Sequence, residues 1–314
     1  MDKLYENITF SNDIMLINEK KIFVYTNGET DNPAILYVHG APGIGVVDFV
    51  AYQADKFKDY YLIAPEQRGV WRSEALDVDE IYNTDQVIED YEEIRRRLDI
   101  EKWSVIAHCM GARTAIAYYA KYPKVVEKII LENPVLDSLT PMKQLVKLQL
   151  GIVAKKYGEE KRKELLRLTS YVTNSIELER YCHKLERLTG IPTNSIMMNK
   201  DTIIKLSNLK EEFNTELFMK SRKTEIQISR NQEFYVDISD MLDNINVPVM
   251  ILYGKEDITV PLDMINSMIA RIDNVIIKEF DKCKHWIHLE QIEQYYECVD
   301  NFIKEGGILK NEKK

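Results

Sequence analysis

The fold is decided by the stretch Trp103-Ser104-Val105-Ile106-Ala107-His108-Cys109-Met110-Gly111-Ala112-Arg113-Thr114-Ala115. Its first part, 103–107, is a short apolar run of the kind that forms a buried strand. Its last part opens an alanine-rich segment, 112–122, that Pro123 closes, so a helix follows the strand almost at once. Between them lies a sharp turn with a nucleophilic side chain, Cys109, at its centre. Ala107 and Gly111 stand two positions to either side, where a bulky Cβ would clash in such an elbow. The positive end of the helix dipole behind Cys109 favours a thiolate, the nucleophilic form of cysteine. A cysteine taken alone is more often a small buried hydrophobe; this setting reverses that reading.

Outward from this stretch, strand patterns at 34–38, 60–64, 126–131, 249–253 and 275–280 alternate with helical spacing at 84–98, 262–272 and 292–303. Residues 14–18 and 21–26 read as a short antiparallel pair. Such alternation implies parallel pairing through right-handed crossovers, hence an α/β fold with a mostly parallel, doubly wound sheet. The rhythm breaks between 137 and 235, where Lys/Glu-rich segments with helical periodicity replace strands, at 142–156, 160–168, 176–188 and 202–213. The expected organisation is one α/β domain from 1–136 and 236–314, with a helical lid inserted at 137–235. The charged tail from 305 is expected to fray.

Composition narrows the function. With 314 residues, 45% of them hydrophobic and 30% charged, and only 12 Gly and 9 Pro, the chain is neither collagen-like nor disordered. No window approaches the run of about 18 apolar residues that a membrane helix needs. The formal charge of −9, from 51 acidic against 42 basic residues, disfavours nucleic acid and anionic lipid as partners. Cys109, Cys182, Cys283 and Cys298 show no paired spacing, which suits free thiols in a reducing compartment, and no secretory pattern opens the chain, so a cytoplasmic location is expected. No His/Asp/Glu/Cys group has metal-ligand spacing, so neither a metal nor another cofactor is expected.

Three motifs carry a family resemblance. His39-Gly40-Ala41-Pro42-Gly43 resembles HGGPG, Glu66-Gln67-Arg68-Gly69-Val70-Trp71-Arg72-Ser73 resembles DQRGxGxS, and 107–111 stands where GxSxG would be. In this order they make the chain similar to the α/β-hydrolases, and within them to the prolyl iminopeptidase-like group, with Cys109 in place of the usual serine. Ala41, Glu66, Trp71 and Ala107 are further departures. The resemblance implies the chain order nucleophile, acid, base. Asp257, just past the strand 249–253, is then the acid, and His285, just past the last strand, the base. It also implies an oxyanion hole from the backbone N–H groups of Met110 and Ala41. Glu132, ending the strand 126–131, is the fallback acid, since some relatives place theirs there. His39 reads as a loop tie, Arg68 as an ion-pair partner, His288 as packing or surface, and His183 as a solvated helix residue. Met197, Met198 and Met219 are candidates for an apolar pocket lining.

A Cys–His pair can hold thiolate and imidazolium before substrate arrives, and the thioester enzyme it forms is a good acyl donor. Dienelactone hydrolases and some thioesterase-like domains share an elbow cysteine within this fold, so the substitution is compatible with catalysis. The expected activity is acyl transfer through a covalent thioester, most simply hydrolysis of a small ester, thioester or amide. The partner is then a small acyl substrate, and in a biosynthetic transacylase also an amine, alcohol or thiol acceptor. An inactive hydrolase-fold binding protein is the contrasting expectation; the joint presence of the elbow, Asp257 and His285 argues against it.

Overall fold

The computed structural model describes residues 13–40, 45–169, 172, 175–211, 215–229, 231, 233 and 236–305. Ala41 and the tail beyond Glu305 lie outside the described residues, as does Phe213 at the end of one expected helix. Eight strands, β1 (Asp13–Ile17), β2 (Lys20–Asn27), β3 (Ala34–Val38), β4 (Tyr61–Pro65), β5 (Trp103–His108), β6 (Val126–Glu132), β7 (Val249–Gly254) and β8 (Val275–Phe280), form one sheet. Its order is β1-β2-β4-β3-β5-β6-β7-β8. Only the β1–β2 and β2–β4 pairings are antiparallel; every pairing from β4–β3 to β7–β8 is parallel. The expected α/β sheet is therefore present. Asn18, expected inside the first strand, instead starts its turn: Asn18 and Glu19 have φ of 43° and 66° between the paired residues Ile17 and Lys20. Two positive φ values match the twist a two-residue hairpin loop must follow.

Side chains of the central strands alternate between two apolar layers, as a period of two requires. Leu36, Val38, Val105, Ala107, Ile129, Leu131, Val249 and Ile251 face one core, with Val87 and Tyr91 of α2 (Thr84–Arg97), Ala112 and Ile116 of α3 (Gly111–Lys121) and Ile265 of α10 (Leu262–Ile269). Ile35, Tyr37, Ile106, Ile130, Met250 and Leu252 face the other, with Phe49 and Val50 of α1 (Val47–Gln53), Ile287 of α11 (Ile287–Glu290) and Tyr295, Val299 and Phe302 of α12 (Ile292–Glu305). Burial of each large aliphatic or aromatic side chain contributes about 1.5–3 kcal/mol, so these two layers dominate stability.

Between β6 and β7 the chain runs through α4 (Leu139–Tyr157), α5 (Glu159–Thr169), α6 (Ser175–Thr189), α7 (Asn194–Met197), α8 (Lys200–Glu211) and α9 (Thr215–Ser229). Its own apolar cluster is small: Leu145, Val146, Leu150, Val153, Leu178, Cys182 and Leu185. Ile258, next to Asp257 in sequence, packs against it. Cationic side chains tie these helices to the sheet domain through main-chain carbonyls. Lys205 Nζ donates to Leu289 O at 2.6 Å, Lys220 Nζ to Ser73 O at 2.7 Å, and Lys284 Nζ to Ile196 O at 2.9 Å.

Candidate active site

Cys109 stands where the sequence puts an elbow. Its φ is +52°, a left-handed conformation that a side chain adopts only under constraint. The constraint is visible: Cys109 N donates to Glu132 O at 2.9 Å, and Cys109 O accepts from Val135 N at 3.1 Å. Both hydrogen bonds tie the turn to the end of β6. A Cβ on Gly111 would lie 2.5 Å from the carbonyl oxygens of Val38 and His39, so only glycine lets α3 start this close to β3. The outcome is a half-buried free thiol at the head of a helix.

The loops after β7 and β8 bring a carboxylate and an imidazole to it. His285 Nδ1–H donates to Asp257 Oδ2 at 2.6 Å, and both side chains are buried. Asp257 Oδ1 accepts from Thr259 N at 2.8 Å and from Thr259 Oγ1 at 2.6 Å. Burial alone would raise the Asp257 pKa, but His285 and the Thr259 donors outweigh it and hold the carboxyl below its ordinary value. Burial likewise works against a charged His285, and the Asp257 carboxylate outweighs it, keeping the imidazole well above its ordinary range. Cys109 adds to the interactions that hold this imidazole up. The expected acid and base thus meet, on the loops that follow β7 and β8.

Glu132, the fallback acid, does not touch His285. Its carboxylate takes His288, with Nδ1 at 2.9 Å from both oxygens and the His288 N–H at 3.0 Å. His288 is therefore a fully buried ion-pair partner and not a surface residue. Against the cost of burial, His288 draws the Glu132 pKa down to about 2, and Glu132 raises that of His288 to about 10. Asp48 Oδ2 lies 3.4 Å from the far nitrogen of this ring.

His108, which sequence reading passed over, lies between the two pairs, its ring centroid 4.9 Å from that of His285 and 5.2 Å from that of His288. Its Nε2–H donates to the His285 carbonyl at 3.1 Å, and burial lowers its pKa to about 4, so the ring is neutral. His108, Glu132 and His288 offer ligand-type atoms within 4.8 Å of one another. No sequence spacing shows this group, because its members lie far apart in the chain and meet at the ends of β5 and β6 and in α11. The imidazolium–carboxylate pair accounts for Glu132 and His288 without an ion.

His39 accepts from Gln67 N at 3.1 Å, tying its loop to the next motif. Arg68 forks onto Asp90 at 2.6 and 2.8 Å. His183 is exposed and bonded to Glu186. Met110 opens α3, whose first N–H groups lack intrahelical acceptors. A Cβ on Gly40 would come 3.2 Å from that of Cys109, so the loop leading to Ala41 lies against the thiol. Met197 packs on the small helical cluster, and Met219 is 51% exposed.

A strand-elbow-helix with an imidazole–carboxylate pair delivered from the two following strand ends is the architecture of an α/β-hydrolase. Residues 33–291 match the family described as alpha/beta hydrolase fold, and the chain belongs to it. It is 32% identical over 111 residues to a provisionally named proline iminopeptidase of Mycoplasma genitalium, covering 35% of this chain and 36% of that one. The matched segment thus spans about a third of that relative. A 2-hydroxy-6-oxononadienedioate/2-hydroxy-6-oxononatrienedioate hydrolase of Burkholderia vietnamiensis is 21% identical over 287 residues, 89% of this chain and 90% of the relative. A proline iminopeptidase-related protein of Thermus thermophilus has a similar structure, with a TM-score of 0.72, 18% identity and coverage of 93% and 96%. No described helix is long and apolar enough to cross a membrane.

Proposed function

We propose that the protein is a cysteine-dependent hydrolase of small esters, thioesters or amides, working through an acyl-thioester at Cys109. One observation carries this reading: an imidazole whose Nδ1–H is held by a buried carboxylate, and which is further held up by a cysteine on a left-handed elbow. The Cys109 proton passes to His285 Nε2, and Sγ attacks the substrate carbonyl carbon. The N–H groups of Met110 and Ala41 receive the oxyanion. Collapse breaks the bond to the leaving group, which takes the proton from Nε2. His285 then removes a proton from water, the hydroxide attacks the thioester, and Sγ leaves as thiolate and is reprotonated. Asp257 keeps Nδ1 protonated throughout, so that Nε2 is the atom that exchanges protons. Residues 137–235 act as the lid that limits water entry. The names of the relatives above, a hydrolase and an iminopeptidase, are consistent with hydrolytic chemistry.

Intact-protein mass spectrometry after incubation with acyl thioesters, p-nitrophenyl esters and prolyl amides tests the proposal. The expected product is one acyl adduct on Cys109, released by hydroxylamine. An added amine that captures more acyl group than water does would identify a transacylase. Neither adduct nor turnover with any of the three classes, in folded protein, would point to a binding protein.

A further inference from the structure

We propose that Asn133 is a positioning residue that fixes the loop carrying His285 to the loop carrying Asp257; the inference rests on the reading of that pair as base and orienting acid. Asn133 is fully buried, directly after β6, with φ of +40°. Its Nδ2 group donates to Lys284 O and to His285 O, both at 2.9 Å, and its Oδ1 accepts from Gly254 N at 3.0 Å. Its own N–H donates to Leu252 O at 2.9 Å. One amide therefore grips the peptides on either side of His285 and the strand end three residues before Asp257.

The side-chain choice is narrow. Both loops meet here without room for another group, since a Cβ on Gly254 would lie 2.1 Å from Lys284 O and 2.8 Å from Cys283 O. The position needs two donors and an acceptor on one short planar group, together with tolerance of a left-handed backbone; asparagine meets all of these. Aspartate has the shape but would turn an acceptor toward two carbonyls. His285 O receives a second donor from His108 Nε2, so the carbonyl of the base is held from both β5 and β6. The neighbouring Glu132 grips His288, three residues beyond His285. The consecutive pair Glu132-Asn133 thus brackets the base.

Asn133→Gly is the informative change, because glycine accepts the positive φ and removes only the amide. In proton NMR of the wild-type enzyme, the His285 Nδ1–H bonded to Asp257 and the His288 Nδ1–H bonded to Glu132 should each give a downfield resonance. In Asn133→Gly the first should be lost or broadened while the second persists. With a p-nitrophenyl ester that the wild type turns over, kcat should fall roughly hundredfold with little change in KM, as a displacement of about 1 Å in a catalytic group predicts. Asn133→Asp, which keeps shape and backbone preference, should show the same loss of the His285 signal, and it serves if the glycine variant does not fold. Retention of the His285 signal in either folded variant overturns the proposal. Loss of the signal with unchanged turnover would support the positioning of His285 and overturn instead its role as the base.

Discussion

Replacement of Asp257 by asparagine should disable the enzyme by enforcing the wrong histidine tautomer, and the structure dictates which way the new amide points. Asp257 Oδ1 accepts from Thr259 N at 2.8 Å and from Thr259 Oγ1 at 2.6 Å. In Asp257→Asn those donors keep the amide oxygen at that position, which leaves the NH2 group where Oδ2 now meets His285 Nδ1 at 2.6 Å. Two donors cannot share that bond, so Nδ1 must give up its proton and Nε2 must carry one. Nε2 can then no longer accept the Cys109 proton. The same substitution in a Ser-His-Asp triad costs about ten-thousand-fold in turnover, which is about 5 kcal/mol of transition-state stabilisation. The assay is ester turnover, paired with the pH dependence of Cys109 alkylation by iodoacetamide. In the wild type, the His285 imidazolium raised by Asp257 should keep alkylation fast into mildly acidic solution; in the variant this acidic limb should vanish while circular dichroism is unchanged. A folded Asp257→Asn variant within about tenfold of wild type would refute the reasoning, because so small a loss excludes a tautomer block. A collapse of activity in Glu132→Gln, with Asp257→Asn active, would move the orienting role to Glu132.

Iodoacetamide at about pH 6.5 should label Cys109 well before the other three cysteines, by peptide mapping, because burial raises the pKa of Cys182, Cys283 and Cys298. Equal labelling would remove Cys109 from its role. The Glu132–His288 pair makes stability pH-dependent. A histidine raised from 6.5 to about 10 stabilises the fold fully below its unfolded value, and that contribution is lost as pH rises through about 10. Urea unfolding should therefore show a loss of roughly 2–3 kcal/mol between about pH 7.5 and about pH 9.5 in the wild type, and a much smaller one in Glu132→Gln. An equal slope in both would show that the pair is not ionised. Replacing Lys205 and Lys220 together by methionine should speed hydrogen exchange in α8 and α9 and leave exchange in β5 and β6 unchanged; no change in α8 and α9 would show that these bonds do not hold the two helices.

Much of the site was legible because its parts are local. The elbow is a contiguous pattern, and Gly111 is required by a contact that any strand-turn-helix of this tightness makes with its neighbour. Asp257 and His285 follow from the order of nucleophile, acid and base that the resemblance implies, placed on strand ends. What was not legible is pairing across distance. Glu132 is bound by His288, more than 150 residues later, and no spacing rule links a strand end to the first turn of a four-residue helix. His108 lay hidden beside the more conspicuous Cys109. Asn133 reads in sequence as an ordinary turn residue, and its left-handed backbone does suit a turn; only the convergence of three loops shows what its amide does. The helix α1 went unseen because seven residues give fewer than two turns of periodicity.

The connections that hold the site together share one property: their acceptors are mostly main-chain carbonyls. Asn133 and His108 hold the His285 carbonyl, Asn133 also holds that of Lys284, and the insertion is fastened by Lys205, Lys220 and Lys284 onto carbonyls of Leu289, Ser73 and Ile196. A carbonyl acceptor survives almost any change in its own side chain. Side chains along those loops and along the lid can therefore vary without releasing the loops from one another, provided that the few donors remain. This separates the two requirements of an enzyme of this kind. Registration of Cys109, His285 and Asp257 is carried by a handful of donors and by glycines such as Gly111 and Gly254, whereas the shape of the proposed acyl pocket is left to residues that carry no such duty. Loss of a donor such as Asn133 should accordingly affect every substrate alike, while changes in the lid proposed at 137–235 should alter selectivity among acyl groups and leave the reactivity of Cys109 toward iodoacetamide unchanged.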